Sequence, residues 1–383
     1  MYLLAPESPS RQSKRAAMTL TLTINTRVST WLFPAESPHK TASNALIAAA
    51  LLFTLVLFCP PQEIHAEEIV INAVGDVMLA GRWSAAIRKS GYDTPFRDVA
   101  AELKTGDVTI ANLESPIARA GSEFSGKKFR FRAEPEVAMA LRTSGINLVT
   151  LANNHSMDFG GQALAETLEN LEQAGIAWIG AGENLAEARK MALYTIKGKK
   201  IAFLGYSLTQ PVEFFAGSNR PGTAPAIEKY FVEDIRRARL EADYVIVSFH
   251  WGTEGKKEVQ PYQRILAHKA IDAGADVILG HHPHVLRGVE RYKAGIVFYS
   301  LGNFVFASKG KTADAGVIVR LRLSEGTREA ELLPLDILHH RVGFQPKPAS
   351  IEQAATIIEQ LNTLSIPLKT QIQSRNGRYV VPF

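Results

Sequence analysis

The chain has 383 residues, 46% of them hydrophobic, and a formal net charge of +5, which argues against a disordered chain and allows one large domain or two ordinary ones. The positive charge is dispersed apart from short pairs such as Lys127-Lys128 and Arg236-Arg237, so no basic stripe of the kind that binds nucleic acid is present. Cys59 is the only cysteine, which rules out an internal disulfide and any cysteine-clustered zinc or iron–sulfur site; a metal must use imidazole, amide and carboxylate ligands.

Residues 1–66 read as a leader. Residues 1–43 are rich in Ser, Thr and Pro with scattered Arg and Lys, and an uncharged apolar run over 45–58 is followed by two prolines and Ile64-His65-Ala66. A basic start, a short apolar stretch and a small residue at the cleavage point describe a secretory signal cut near Ala66, with Met18 as an alternative start. The run is shorter than the ~20 residues a spanning helix needs. An uncleaved N-terminal anchor is the alternative, and a lipid-modified Cys59 a third, disfavoured by Phe58 directly before it. The expected location is the periplasm or the outer face of the membrane.

From Glu68 onward short β-branched runs alternate with helical patterns, the signature of an α/β domain, expected over residues 68–345 with a C-terminal helix and tail over 346–383. Strands are predicted over 69–74, 108–111, 148–151, 201–204, 244–249, 277–279, 296–299 and 317–323. Helices fit 162–174, 232–241, 262–273 and 351–364, with Gly175 and Gly274 closing two of them. Residues 210–230 hold Gly217, Pro221, Gly222 and Pro225 and read as an irregular segment, either a plain surface loop or the border of a substrate cleft.

Almost every predicted strand runs into a polar cluster. In order these are Gly75-Asp76, Asn112-Leu113-Glu114, Asn153-Asn154-His155 with Asp158, His250-Trp251-Gly252 with Glu254, His281-His282-Pro283-His284, and Gly302-Asn303. In open α/β sheets ligands gather at the carboxyl ends of strands, where loops converge on a rigid frame. Carboxylate, amide and imidazole at those ends are the ingredients of a metal-centred hydrolytic site. Imidazole suits zinc, iron and manganese, and oxygen ligands tilt a mixed site towards manganese or iron. His282 and His284, one residue apart, can aim two rings at one point, and His250, Asp76 and Glu114 after other strands turn a weak His-x-His signal into a strong one. Arg130 and Arg132 alternate in Phe129-Arg130-Phe131-Arg132, which places both on one face of a short strand, either solvated or meeting an anion. Trp251 is read as packed rather than as a substrate platform, and Asn303 as either a rim residue or a turn residue.

In order, spacing and strand context, residues 70–306 resemble the CapA-type poly-γ-glutamate and capsule biosynthesis proteins, a branch of the calcineurin-like metallophosphoesterase superfamily. The segments that carry the resemblance are Gly75-Asp76-Val77-Met78, Asn112-Leu113-Glu114, Leu151-Ala152-Asn153-Asn154-His155-Ser156-Met157-Asp158-Phe159-Gly160, His250-Trp251-Gly252, Gly280-His281-His282-Pro283-His284 and Ser300-Leu301-Gly302-Asn303-Phe304. The resemblance implies an α/β fold of four-layer αββα sandwich type, two sheets flanked by helices, with the site at the carboxyl ends of strands. It implies Asp76 and His284 as ligands of one divalent ion, Glu114 as a bridging carboxylate, and Asn154, His250 and His282 as ligands of a second. His155 would stand outside the ligand set as a proton donor or charge stabiliser, with Asp158 fixing its ring and favouring its charged form. The alternative for Asp158 is a helix cap.

Two departures stand out. The superfamily reads Gly-Asp-x-His at the first strand where this chain has Met78, and the bridging position, usually Asp, is Glu114. One ion, two or none are each compatible with that set, and manganese, iron or zinc would suit it. The implied function is an exported metal-dependent hydrolase acting on an anionic extracellular polymer, with a membrane polymer synthase as partner. A general periplasmic phosphoesterase and a non-catalytic assembly factor that binds polymer or synthase are the alternatives.

Overall fold

Alternation of side chains decides where the first strand lies. In β1 (Ile69–Met78), Ile69, Ile71 and Ala73 enter one apolar cluster while Val74 and Val77 enter another, because successive residues of a strand point to opposite faces. The computed structural model describes residues 67–306 and 313–383, so the expected leader over 1–66, with Cys59 and Ala66, lies outside the described residues. No helix among the described residues is long and apolar enough to cross a membrane.

After β1 come β2 (Val108–Leu113), α1 (Glu136–Ser144), β3 (Leu148–Thr150), α2 (Gly160–Gln173) and β4 (Ala177–Ile179). The next stretch holds β5 (Ala192–Ile196), β6 (Lys199–Ser207), α3 (Glu228–Glu241), β7 (Tyr244–His250), α4 (Pro261–Ala273) and β8 (Val277–His281). Then follow β9 (Val289–Tyr292), β10 (Gly295–Phe298), β11 (Asn303–Phe306), β12 (Ala315–Ser324), β13 (Thr327–Asp336), α5 (Ile351–Ser365), β14 (Gln373–Arg375) and β15 (Arg378–Pro382).

Among the described residues the longer strands form two sheets. The first runs β14-β15-β13-β12-β1-β2-β3-β4, with β11 also paired to β1; the second runs β9-β10-β8-β7-β6-β5. In the first, β1 to β4 are mutually parallel, and in the second β6, β7, β8 and β10 are, so each sheet gathers several carboxyl ends along one edge.

Three large apolar clusters among the described residues account for most of the packing. One draws on both sheets, with Ile71 and Ile110 meeting Phe203, Ile246 and Leu279. A second sets Ala111 and Val149 of the first sheet against Val137 and Leu141 of α1 and Leu164 and Leu171 of α2. A third sets Leu204, Val247 and Ile278 of the second sheet against Phe231 and Ile235 of α3 and Ala267 and Ala270 of α4. Each fully buried Ile, Leu or Phe contributes ~1.5–3 kcal/mol. The chain is an α/β protein built on two sheets with helices packed against their faces.

The eight main strands and four helices read from the sequence are present, with ends that differ by a few residues. Gly175 (φ +68°) follows α2 and Gly274 (φ +120°) caps α4, as expected of helix ends that feed a strand. Residues 129–132 correct one reading: they form no strand and belong to a loop, in which Arg130 pairs with Glu123 and Arg132 lies over the Phe159 ring. Residues 346–383 supply α5, β14 and β15, and β15 pairs with β13 of the first sheet.

One glycine sets the position of the site. A Cβ on Gly75 would lie 2.0 Å from the Gly302 carbonyl oxygen, which accepts a hydrogen bond from the Asp76 N–H at 2.9 Å. Only a residue without a side chain lets the 300–303 turn approach β1 this closely, and the strand register shifts beside it. That approach pairs Asp76 with Asn303 on one side and Asn112 on the other.

Candidate metal centre

The parallel registers bring the polar clusters together. His250 ends β7 directly opposite His281 at the end of β8, and Asp76 lies beside Asn112 of β2, two residues before Glu114. Asp76, Glu114 and His250 place one donor atom each within 4.8 Å of one another, and so do Glu114, His282 and His284. Glu114 belongs to both groups. The resemblance groups Asp76 with His284, and His250 with Asn154 and His282; His284 Nδ1 lies 2.9 Å from Asp76 Oδ2, and the His250 and His282 ring centres are 4.9 Å apart.

The contacts are convergent without being ordinary hydrogen bonds. His284 Nδ1 lies 2.9 Å and His281 Nδ1 3.3 Å from the Asp76 oxygens, and the His250 and His284 Nε2 atoms lie 3.6 and 3.7 Å from Glu114 Oε1. Even so, Asp76 Oδ2, Glu114 Oε1, His281 Nδ1 and His282 Nδ1 are buried without a hydrogen-bond partner. Buried polar atoms are almost always paired, so four orphans aimed at one region fit a divalent ion as their common partner. Among the described residues neither Asp76 nor Glu114 forms an ion pair with lysine or arginine, although both side chains are fully buried.

Asn154, from the turn after β3, sets its side-chain oxygen 2.8 Å from His250 Nε2, within reach of the same centre. His284 Nδ1 faces Asn303 Oδ1 at 3.0 Å, which leaves Nε2 as its ligating atom and makes Asn303 a support for that ring. His282 (φ +92°) and His284 (φ +58°) both hold left-handed backbone, where residues with a Cβ are strained. Such strain, ~1–3 kcal/mol per residue, persists where the surroundings impose it, commonly at functional sites.

The charges interact strongly. Burial, reinforced by the Asp76 charge, pushes the Glu114 carboxyl well above the usual range. Burial would raise Asp76 too, but the contacts from His281 and His284 hold it well below. Burial and the neighbouring His284 charge lower His282 to about 3, and burial then the His282 charge lower His250 well below its ordinary value. His284 goes the other way: burial opposes its charge, yet Glu114 and Asp76 raise it to about 10. The centre thus holds protons on Glu114 and His284 that a metal ion must displace, which makes metal binding weaker in acid.

Other residues of the centre carried no assigned role in the sequence reading. The Asn112 side-chain amide donates to Asp76 Oδ1 at 2.8 Å and to Glu114 Oε2 at 3.2 Å, bridging the two carboxylates, and its oxygen accepts from Asn153 Nδ2 at 3.0 Å. Asn153 Oδ1 in turn accepts from the His155 and Ser156 backbone N–H groups. His281 sits against Asp76 in a position to orient its carboxylate. The alternation of Asn112 with Glu114 along β2 was the available signal for the first of these.

Met78, at the position where the superfamily has histidine, is buried in the apolar cluster beside α1 and α2 and offers the centre nothing. Trp251 is packed as expected: it stacks on Phe249 at 4.8 Å and its indole N–H donates to the Tyr299 carbonyl.

His155 belongs to neither donor group. Its Nδ1 lies 2.6 Å from Asp158 Oδ2, through a turn closed by the Asp158 N–H to His155 carbonyl bond rather than through a helix. Asp158 caps no helix, since α2 begins at Gly160 after a residue with no side-chain cap. Asp158 favours the charged form of His155 as expected, but burial, joined by the positive charge of Lys127, outweighs it and lowers the imidazole.

Comparison with known proteins follows the same segments. The family model of bacterial capsule synthesis protein PGA_cap matches residues 70–308. The capsule biosynthesis protein CapA of Bacillus anthracis is 31% identical over 80% of this chain and 75% of its own length. The PGA biosynthesis protein CapA of Bacillus subtilis is 32% identical over 85% of this chain and 88% of its own. A probable polyglutamine synthesis accessory protein of Mycobacterium tuberculosis is 32% identical over 62% of this chain and 67% of its own. Among solved structures, NAD nucleotidase of Haemophilus influenzae is similar at 13% identity, TM-score 0.45, covering 78% of this chain and 64% of that one.

Proposed function

The chain belongs to the bacterial capsule synthesis protein family, and from that premise we propose that it is an exported metal-dependent hydrolase acting on an anionic polymer of the poly-γ-glutamate or capsule type. The observation that carries the reading is the pair of fully buried carboxylates, Asp76 and Glu114, whose ion-pair partners among the described residues are imidazoles alone. Burying both carboxylates with no lysine or arginine paired to them is costly, and a divalent ion that displaces the protons held there would offset both charges. Asp76, Glu114, Asn154, His250, His282 and His284 are the proposed ligands of manganese, iron or zinc. Membership of Glu114 in both donor groups supports two ions with that carboxylate between them. The apolar cluster drawn from both sheets, with helices on the remaining faces, supports the four-layer αββα arrangement.

Ions so placed supply Lewis acidity and balance the negative charge that develops in hydrolysis. The chain's own groups do the rest. Asn112 holds the two carboxylates at fixed spacing, and His281 and Asn303 orient Asp76 and His284. His155, with Nδ1 committed to Asp158, exchanges a proton at the attacked group through Nε2. Export follows the leader read over residues 1–66, and a membrane polymer synthase is the proposed partner. A non-catalytic assembly factor is the second reading, favoured by Met78, which removes one imidazole from the ligand set.

The test uses the full chain purified without chelator. Elemental analysis should give one to two equivalents of a transition metal, and the loaded protein should cleave γ-glutamyl polymer faster than a chromogenic phosphodiester. Preference for the phosphodiester would replace the polymer with small phosphates as substrate. Metal-free protein that still restores polymer export in a deficient strain would replace the hydrolase with the assembly factor.

A further inference from the structure

Lys127 looks from sequence like half of a surface basic pair, yet its side chain is only 13% exposed. Its ammonium donates to Asp158 Oδ1 at 2.6 Å and to the Asn154 backbone carbonyl, and it lies 3.0 Å from His155 Nδ1 and 5.2 Å from the centre of the Phe214 ring. An ammonium has three N–H groups, and two of them are committed to Asp158 and Asn154. The segment that carries it is pinned to the same residue. Phe124 N–H donates to the Asp158 carbonyl at 2.8 Å, and Phe131 N–H to Asp158 Oδ2 at 2.9 Å. The Phe131 ring closes the other side of His155, 4.9 Å between centres.

We infer that Lys127 is a positioning residue for His155: it locks the Asp158 carboxylate and the Asn154 carbonyl into one unit, so that the imidazole meets the substrate through Nε2 alone. One ring nitrogen cannot both donate to Asp158 and accept from Lys127. The shorter contact, 2.6 Å against 3.0 Å, assigns the Nδ1 proton to Asp158 and leaves Lys127 bonded to the carboxylate that receives it. Because Lys127 also grips the Asn154 carbonyl, it couples the ligand side of this turn to the proton-transfer side. The inference rests on the proposed role of His155.

A lysine buried only to balance the Asp158 charge would predict something different, and Lys127→Arg separates the two. Arginine restores the charge, but its planar fork cannot set three donors at one point. Lys127→Gln and Lys127→Arg are compared with the parent full chain for metal content, melting temperature, kcat, KM, and the imidazole ¹⁵N signals of His155, identified by their loss in His155→Gln. Positioning predicts unchanged metal content and KM in both variants. It also predicts recovery of stability in Lys127→Arg, a kcat about 10²-fold low in both, and His155 signals that depart from a single Nδ1–H tautomer. Full turnover with parental His155 signals in Lys127→Arg would overturn it. If the parent shows no turnover, the hydrolase reading fails, and the ¹⁵N signals alone decide the placement of His155. If Lys127→Gln does not fold, Lys127→Arg decides.

Discussion

Two buried carboxylate clusters, built on the same α/β frame, are satisfied in opposite ways. On α3, Asp234 accepts from Arg189 Nε at 2.8 Å and Nη2 at 3.0 Å, from the Tyr206 hydroxyl at 2.9 Å and from Arg237 at 2.9 Å. At the strand ends, Asp76 and Glu114 have imidazoles and one shared amide, and each keeps an oxygen without a hydrogen bond. The first cluster is complete within the chain and ties α3 to the second sheet. The second has donors in excess of anything the chain supplies, and two of its residues sit in strained backbone. Completeness marks a structural network, and converging incompleteness marks a site built for something that binds.

The largest effect should come from the group that lies outside both donor sets. His155→Ala should keep metal content and melting temperature near the parent while lowering turnover by roughly 10²–10⁴-fold, the scale of general acid–base catalysis. Loss of metal in step with turnover would move His155 into the ligand set and erase its distinction from His250 and His282.

Exchanging charges in the two clusters tests the comparison itself. Asp234→Ala strands the Arg189 guanidinium and should cost on the order of 3 kcal/mol, read by chemical denaturation, with metal content unaffected. Glu114→Gln should do the reverse, abolishing metal uptake while leaving the metal-stripped protein as stable as the parent or more so, since Gln keeps the neutral form that burial favours at this position. If Glu114→Gln destabilised the stripped protein as much as Asp234→Ala, the strand-end cluster would be structural too.

Backbone strain gives a smaller effect of the same sign. His282→Gly removes a ligand but relaxes a left-handed residue, so metal content should fall while the stripped protein gains about 1 kcal/mol. A loss of stability instead would mean that packing of the imidazole outweighs the strain at this turn.

The strand ends were legible because apolar runs stop abruptly at Asp76, Asn112, Asn153, His250 and His281, and parallel strands deliver such stops to one edge. Three kinds of feature were not. Lys127 reaches His155 across 28 residues, and nothing local in a Lys-Lys pair distinguishes a buried ammonium from a solvated one. The charge of His155 was read from its neighbour Asp158 alone, whereas burial and Lys127 decide its direction. The strand β13 escaped notice because Glu329, Glu331 and Pro334 interrupt its pattern; in the fold Arg375 and Arg378 pair with Glu329, and Arg322 with Glu331.

The smallest effect concerns another completed carboxylate, Asp336 at the end of β13. Burial would raise its pKa, but bonds from Arg341, the Leu338 N–H and Gln353 outweigh that and lower it. A carboxyl whose folded pKa is depressed adds stability that is complete above the unfolded value, near 3.9, and is lost as pH falls through the folded value. The protein should therefore lose this contribution only below about pH 4, and the partial exposure of Arg341 limits it to less than about 1 kcal/mol. Asp336→Asn should remove that contribution at neutral pH and flatten the stability profile in the acid window. Glu114 carries the opposite sign: its raised pKa means that ionisation costs the stripped protein stability as pH rises above the ordinary carboxylate range. Denaturation curves of Asp336→Asn and Glu114→Gln across that range should bend in opposite directions from the parent, and parallel curves would show that the two carboxylates are held by the same kind of network.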